Sequence, residues 1–82
     1  MQSLNYNHLY YFWLIAKEGG VTSASKRLRL AQPTLSAQLK QFEAMIGHEL
    51  FERKSRSLIL TEKGKIVFDY ADAIFKMGDK MM

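Results

Sequence analysis

The hydrophobic positions of the chain recur mainly at the spacing of α-helices. Apolar residues at i, i+3, i+4 and i+7 predict a first helix that is capped by Asn5 or Asn7 and ends near Lys17, just before two glycines. Its buried stripe is predicted to comprise Leu9, Phe12, Trp13 and Ala16. Further apolar residues lie off that stripe and predict contacts with more than one neighbour: Tyr10, Tyr11 and Leu14.

Two helical segments joined by a tight turn follow. The second helix is predicted to begin between Gly20 and Ser23, with Gly20 or Thr22 as its cap, and to face inward through Ala24, Leu28 and Leu30. Pro33 suits the first turn of a third helix, which Gly47 ends. The buried side of the third helix is predicted at Leu35, Leu39, Phe42 and Ile46. Its outward side is polar with little bulk and comprises Gln32, Thr34, Ser36, Ala37, Gln38, Lys40 and Gln41.

Residues 50–53 and 57–60 have the composition of two short strands around a basic tip, residues 54–56, which predicts a β-hairpin although the tip lacks glycine. Thr61 is predicted to cap a final helix that runs to the end of the chain. Its apolar positions form two adjacent stripes: Val67, Ala71, Ile74, Gly78 and Met81, and then Ile66, Tyr70, Ala73 and Met77. Charged residues are predicted on the opposite face: Lys65, Asp69, Asp72, Lys76 and Asp79. An apolar face of this width predicts a partner helix.

Together these elements predict a mainly α-helical winged helix-turn-helix. A three-helix core and a β-hairpin wing would occupy residues 1–60, and a long linker or dimerisation helix would occupy residues 61–82. The sequence stops at two methionines without a cap, which indicates a piece of a longer protein.

Composition narrows the function classes. With 82 residues, of which 48% are hydrophobic, the chain has room for one small domain with a real core. Cysteine is absent and the two histidines are isolated, so neither a disulfide nor a metal site is expected. No apolar run is long enough for a membrane span, and no signal peptide precedes the domain, which favours a bacterial cytoplasmic protein. Phosphate loops and activated nucleophiles are also lacking, so we expect a binding module without a cofactor rather than an enzyme.

The net charge of +4 arises in the middle of the chain. Residues 21–60 carry seven basic and three acidic side chains (7 − 3 = +4), while the basic and acidic residues of the two ends cancel. A localised basic surface favours nucleic acid because it displaces condensed counterions from phosphates. The predicted partner is double-stranded DNA, with the third helix in the major groove.

Several segments, in order and at matching spacing, resemble the N-terminal domain of LysR-type transcriptional regulators. They are residues 24–28 (Ala-Ser-Lys-Arg-Leu), residues 31–36 (Ala-Gln-Pro-Thr-Leu-Ser), residues 42–43 (Phe-Glu), Gly47, residues 50–53 (Leu-Phe-Glu-Arg), Arg56 and residues 60–64 (Leu-Thr-Glu-Lys-Gly). Residues 4–13 also resemble the sodium/proton antiporter regulator branch of that family. The resemblance implies a homodimer paired through the last helix. It also implies a separate C-terminal domain, absent from this chain, through which alone a small-molecule or ion effector would act.

The resemblance also implies roles for individual residues. Gln32, Pro33 and Ser36 would meet DNA at the start of the recognition helix, Arg56 would enter the minor groove, and Thr22 would touch phosphate. The sequence departs from the family pattern at Ala37, where many members carry an arginine. Recognition of the DNA is therefore expected to depend mainly on other residues of the third helix, namely Gln32, Thr34, Gln38 and Lys40.

The resulting DNA-binding set is Thr22, Ser23, Gln32, Pro33, Thr34, Ser36, Ala37, Gln38, Lys40, Arg53, Lys54 and Arg56. Gln32 and Gln38 have the donor and acceptor that adenine's N6 and N7 edge requires. For Arg53 an ion pair with Glu43 or Glu49 is the alternative, and Arg27 could meet phosphate or pair with a carboxylate of the third helix. The dimerisation set is Val67, Tyr70, Ala71, Ile74, Met77, Gly78 and Met81.

Two other functions stay open at this point. The winged helix could be a protein-interaction module that works through its long helix, or the last helix could bind a membrane surface. The second alternative is disfavoured because the charged face of that helix mixes Asp with Lys and has no net positive charge. The favoured prediction remains a dimer that binds an inverted-repeat operator.

Overall fold

The computed structural model describes residues 4–82, so residues 1–3 of the predicted domain lie outside it. Over the described range the elements are α1 (Tyr6–Glu18), α2 (Val21–Leu28), α3 (Gln32–Ile46), β1 (Phe51–Lys54), β2 (Ser57–Leu60) and α4 (Glu62–Met81). Three helices, a hairpin and a long final helix follow each other as predicted, which confirms the winged helix-turn-helix.

The ends of the helices are fixed by the residues that the sequence indicated. The side chain of Asn5 accepts a hydrogen bond from the His8 backbone N–H at 3.1 Å, and Thr61 Oγ1 accepts from the Gly64 N–H at 3.0 Å. Gly47 ends α3 in the left-handed conformation, with a φ of 85°. These local signals set the boundaries because each one satisfies backbone groups that the helix itself cannot pair.

The prediction that α1 packs against more than one neighbour is confirmed, whereas two members of its predicted buried stripe differ. Leu9 and Phe12 are buried as expected, but Leu14 and Ile15 are buried as well, whereas Trp13 and Ala16 are only half-buried. The reason is the central position of α1, which packs against α2, α3 and α4 at the same time. A helix covered on several sides buries residues around most of its circumference.

The last helix packs onto the core of its own domain. Ala71 has no exposed surface, and Phe75 lies 5.0 Å from Trp13 and 5.4 Å from Tyr10, measured between ring centroids. The prediction that Asp72 lies on an exposed charged face is therefore wrong. Asp72 turns toward α1 and accepts a hydrogen bond from Trp13 Nε1 at 3.0 Å. The middle of α4 is thus part of the domain core.

The wing is tighter than predicted. β1 and β2 pair from Phe51↔Leu60 to Lys54↔Ser57, so Lys54 belongs to a strand and the loop has only two residues, Ser55 and Arg56. Both loop residues have positive φ angles, 47° and 70°. Two left-handed residues in a two-residue loop are typical of a type I′ turn, whose twist matches that of the flanking strands.

Two negative findings apply to residues 4–82. No helix in this range combines the length and the apolar composition that a membrane crossing requires. The same residues hold no group of three or more His, Asp or Glu side chains that could bind a metal ion.

Candidate nucleic-acid interface

The interface begins at the N-terminus of α2. Gly20 caps this helix without a side-chain hydrogen bond, so the first backbone N–H groups of the helix lack a side-chain acceptor. Thr22 and Ser23 are exposed in the same first turn. A helix N-terminus with free N–H groups favours an anion such as a phosphate.

The first turn of α3 lies beside that of α2. Ala31 caps α3 and also provides no side-chain hydrogen bond, and Pro33 occupies the first turn as predicted. Gln32 is exposed, and its Oε1 lies 3.5 Å from Thr22 Oγ1, at the upper limit for a hydrogen bond. The two helix starts therefore present polar side chains and backbone N–H groups to one area of the surface.

The wing closes this area into a polar cleft of about 360 Å³. Its lining comes from the end of α1, the start of α2, the first two turns of α3 and the hairpin. The cleft is lined by six residues of the predicted DNA-binding set: Thr22, Ser23, Gln32, Ser36, Arg53 and Arg56. Tertiary structure thus collects residues that are up to 34 positions apart in sequence (56 − 22 = 34).

The outer face of α3 carries four more residues of the set. Pro33, Thr34, Ala37 and Lys40 are exposed there, as predicted from their helical positions. Gln38 differs, because it is half-buried and its side-chain oxygen Oε1 contacts Nε2 of His8 in α1. The prediction that Gln38 lies freely on the outward face is therefore corrected.

The arginines of the wing keep their charge available. Neither Arg53 nor Arg56 forms an ion pair with any residue of the described range, 4–82. The alternative pairing of Arg53 with Glu43 is not observed, and Glu43 Oε2 instead accepts a hydrogen bond from the Leu50 backbone N–H at 2.7 Å. Glu43 thus tethers the end of α3 to the start of the wing.

Two other basic side chains are partly neutralised. Lys54 Nζ lies 3.9 Å from Glu52 Oε2 along the same strand, and Lys54 does not line the cleft. Arg27 pairs with Glu18 of α1 at 3.7 Å, not with a carboxylate of α3 as one alternative had it. Since Glu18 borders the cleft, Arg27 offsets the one acidic residue at its edge.

Three residues near the interface make contacts that the sequence did not predict: His8, which contacts Gln38; Glu18, at the edge of the cleft; and Glu43, which accepts from Leu50 at the start of the wing. Each owes its position to a contact between different elements, so no local spacing could have indicated it. The carboxylates of Glu18 and Glu43 gave only a weak indication, since an acidic side chain can form an ion pair or accept a hydrogen bond from a neighbouring element.

The exposed face of α4 is apolar. Five large residues at helical spacing form this apolar stripe: Ile66, Tyr70, Ile74, Met77 and Met81. Tyr70 is 70% exposed and Met77 72% exposed, unusually high values for side chains of this size. Two members of the predicted dimerisation set differ, because Ala71 is buried inside its own domain and Val67 packs against the same core. Ala71 therefore cannot contact a partner in this arrangement.

The fold and the cleft define a winged helix-turn-helix domain of the kind found in transcription regulators. Residues 6–65 match the family described as bacterial regulatory helix-turn-helix protein, lysR family, and the chain belongs to that family. It is 42% identical over 82 residues to the transcriptional activator protein NhaR of Escherichia coli, of which it covers 27%. It is also 38% identical over 71 residues (87% of this chain) to the regulator PtxR of Pseudomonas aeruginosa, of which it covers 23%.

Solved structures agree with this assignment. The chain superposes on the DNA-binding domain of BenM, solved with catB site 1 DNA, with a TM-score of 0.87 and 35% identity; 95% of this chain and 87% of that chain are covered. A complex of the CbnR DNA-binding domain with DNA gives a TM-score of 0.83 and 31% identity, covering 95% and 90%. The chain thus spans about a quarter of the length of NhaR and of PtxR, and it covers 87% and 90% of the isolated BenM and CbnR domains.

Proposed function

We propose that this chain is the sequence-specific, double-stranded DNA-binding domain of a bacterial transcription regulator and that it works as a homodimer. One observation carries the proposal: the starts of two helices share one polar cleft with two arginines, neither of which forms an ion pair within residues 4–82. The cleft matches the chemistry of a DNA strand, which presents phosphates beside a groove of hydrogen-bonding base edges.

In the proposed complex α3 enters the major groove. Gln32 and Ser36 approach base edges from its first two turns, and Thr34 and Lys40 contact the strand from the outer face. Because Ala37 has no long side chain, direct readout rests on the residues around it. The BenM and CbnR domains, which share this fold, were solved as DNA complexes, and this supports DNA binding by the domain.

The remaining contacts position the domain on the phosphate backbone. The exposed N-terminus of α2, with Thr22 and Ser23, and the guanidinium of Arg53 are suited to phosphates. Arg56, at the tip of the wing, is suited to a narrow and strongly negative minor groove. Such contacts provide affinity and register, while the bases provide selectivity.

The apolar stripe of α4 is the proposed dimer surface. A second copy would cover Tyr70, Ile74, Met77 and Met81, and Gly78 beside them would allow a close approach of the two helices. Two recognition helices related by a twofold axis would bind an inverted repeat. Residues 61–82 form the proposed dimerisation segment, and α4 also completes the core of its own domain.

The whole regulator would act on the bacterial chromosome and hence in the cytoplasm. We propose that residues beyond this segment form the effector-binding domain, because the full-length relatives are about four times longer than this chain. A small molecule or an ion would be sensed there. The segment described here is a binding module, and we assign it no catalytic role.

The experiment that tests this function is selection of bound duplexes from a random DNA library by the 82-residue chain at two salt concentrations. Enrichment of an inverted repeat with A·T-rich flanks supports a dimer whose wings enter minor grooves. Salt-sensitive retention without an enriched motif would reduce the function to general phosphate binding. No retention at all would contradict the proposal and favour a protein-interaction module.

A further inference from the structure

His8 joins α1 to the recognition helix. Its ring nitrogen Nε2 contacts Gln38 Oε1, and the ring meets the fully buried Phe42 edge-on, with centroids 6.5 Å apart and planes inclined by 66°. The His8 main chain is held at the first turn of α1 by the Asn5 cap. Neighbours on two helices thus restrain both the backbone and the ring of His8.

The chemistry of this contact limits what Gln38 can offer to a ligand. A carbonyl oxygen only accepts hydrogen bonds, so the ring N–H of His8 is the donor and Gln38 Oε1 the acceptor. The amino group of Gln38 stays available. A glutamine needs both its oxygen and its amino group for the two-bond contact with adenine, whereas an amino group alone matches acceptors such as guanine O6 and N7.

We propose that His8 is a positioning residue for base selection by Gln38. By holding the amide oxygen, it makes Gln38 a donor-only contact and favours guanine over adenine at the base that Gln38 faces. The inference rests on the proposed function, because it requires α3 to lie in the major groove. It goes beyond that function because it assigns part of the base preference to a residue of α1, outside the helix-turn-helix.

The test compares base preferences at every position of the duplex selected by the wild-type chain. Gln38→Ala identifies the position that Gln38 reads, and there the wild type is expected to prefer guanine to adenine about fivefold. His8→Phe keeps a ring against Phe42 but frees the amide, so adenine should gain about fivefold relative to guanine at that position alone. His48→Phe is the matched control, since His48 is exposed and should alter no preference.

A second variant covers the case in which His8→Phe fails to fold. Gln38→Glu keeps an acceptor for His8 but loses the amino group, and the preference at the same position should move to cytosine, whose N4 amino group is a donor. Unchanged preferences in Gln38→Ala, or an adenine preference in the wild type, would overturn the role of His8 while leaving DNA binding intact. A wild-type chain without any sequence selectivity would overturn the proposed function as well.

Discussion

Trp13 donates its indole N–H to Asp72 Oδ1 at 3.0 Å and so connects the first helix to the last, 59 positions away. The ammonium of Lys76 lies 2.8 Å from Asp72 Oδ2, one turn further along α4. Hydrogen bonds from Lys76 and then from Trp13 hold the pKa of the Asp72 carboxyl below its ordinary value of 3.8. The bridge between α1 and α4 is therefore stronger when the carboxyl is ionised.

This bridge predicts an acid-sensitive contribution to stability. Because folding lowers the pKa of Asp72, its stabilising effect is complete above the pKa of the unfolded chain, near pH 4, and is lost as the pH falls further through the folded pKa. Thermal midpoints measured from pH 6 to pH 2 should therefore fall less steeply for Asp72→Asn than for the wild type. Parallel curves for the two proteins would show that Asp72 contributes nothing to the acid response.

Gly64 is required by a close approach of backbones. A Cβ atom at this position would overlap the carbonyl oxygen of Leu50, and Leu60 is also close. Gly64→Ala should therefore destabilise the domain by about 1–3 kcal/mol, as overpacking does. Gly78→Ala on the same helix meets no atom of residues 4–82 within 4 Å, so in a chain kept monomeric by Tyr70→Glu it should be neutral or stabilising by up to about 1 kcal/mol. Urea denaturation measures the free energy of unfolding of both variants. Equal destabilisation by the two substitutions would argue against the close approach of the backbones at Gly64.

Substitutions in the two-residue turn of the wing distinguish effects on stability from effects on DNA binding. Ser55 and Arg56 both have left-handed backbones, which glycine adopts without a steric cost. Ser55→Gly and Arg56→Gly should each leave the free energy of unfolding within about 1 kcal/mol of the wild type. Only Arg56→Gly should weaken duplex binding, and it should reduce the slope of log K against log salt by about 1. Identical binding by the two variants would remove Arg56 from the interface.

The apolar stripe of α4 predicts the oligomeric state. Tyr70→Glu or Met77→Glu places a charge on the stripe and should convert a dimer of two 9.5 kDa chains into a monomer in sedimentation equilibrium. Asp69→Lys is the control, because Asp69 is exposed but lies outside the stripe. A wild-type chain that is monomeric both alone and on its selected duplex would contradict the dimer.

Local patterns predicted most of the fold. Asn5, Gly47 and Thr61 set helix boundaries because capping is decided within a few residues of the chain. The two-residue turn escaped prediction because neither Ser55 nor Arg56 is a residue type that favours a left-handed backbone.

Contacts between elements that are distant in the chain were harder to predict from the sequence. Helical period places a residue on a face, but it does not identify what packs against that face. Asp72 was therefore assigned to solvent although Trp13 lies opposite it, and Gln38 was assigned to the outer face although His8 holds it. The placement of Gln32 and Ser36 at the start of α3 was accessible from the sequence because Pro33 marks the first turn of a helix, whereas no local pattern indicates that His8 of α1 contacts Gln38.

The most direct test of sequence-specific binding is the affinity of the selected duplex and of a scrambled duplex for three proteins: the wild type, Gln32→Ala and Lys40→Ala. Gln32→Ala should lose about 1–3 kcal/mol of binding free energy for the selected duplex only, so the difference in affinity between the selected and the scrambled duplex becomes smaller. Lys40→Ala should weaken both duplexes alike and flatten the salt dependence. If Gln32→Ala retains both the affinity and the preference of the wild type, α3 is not the recognition helix.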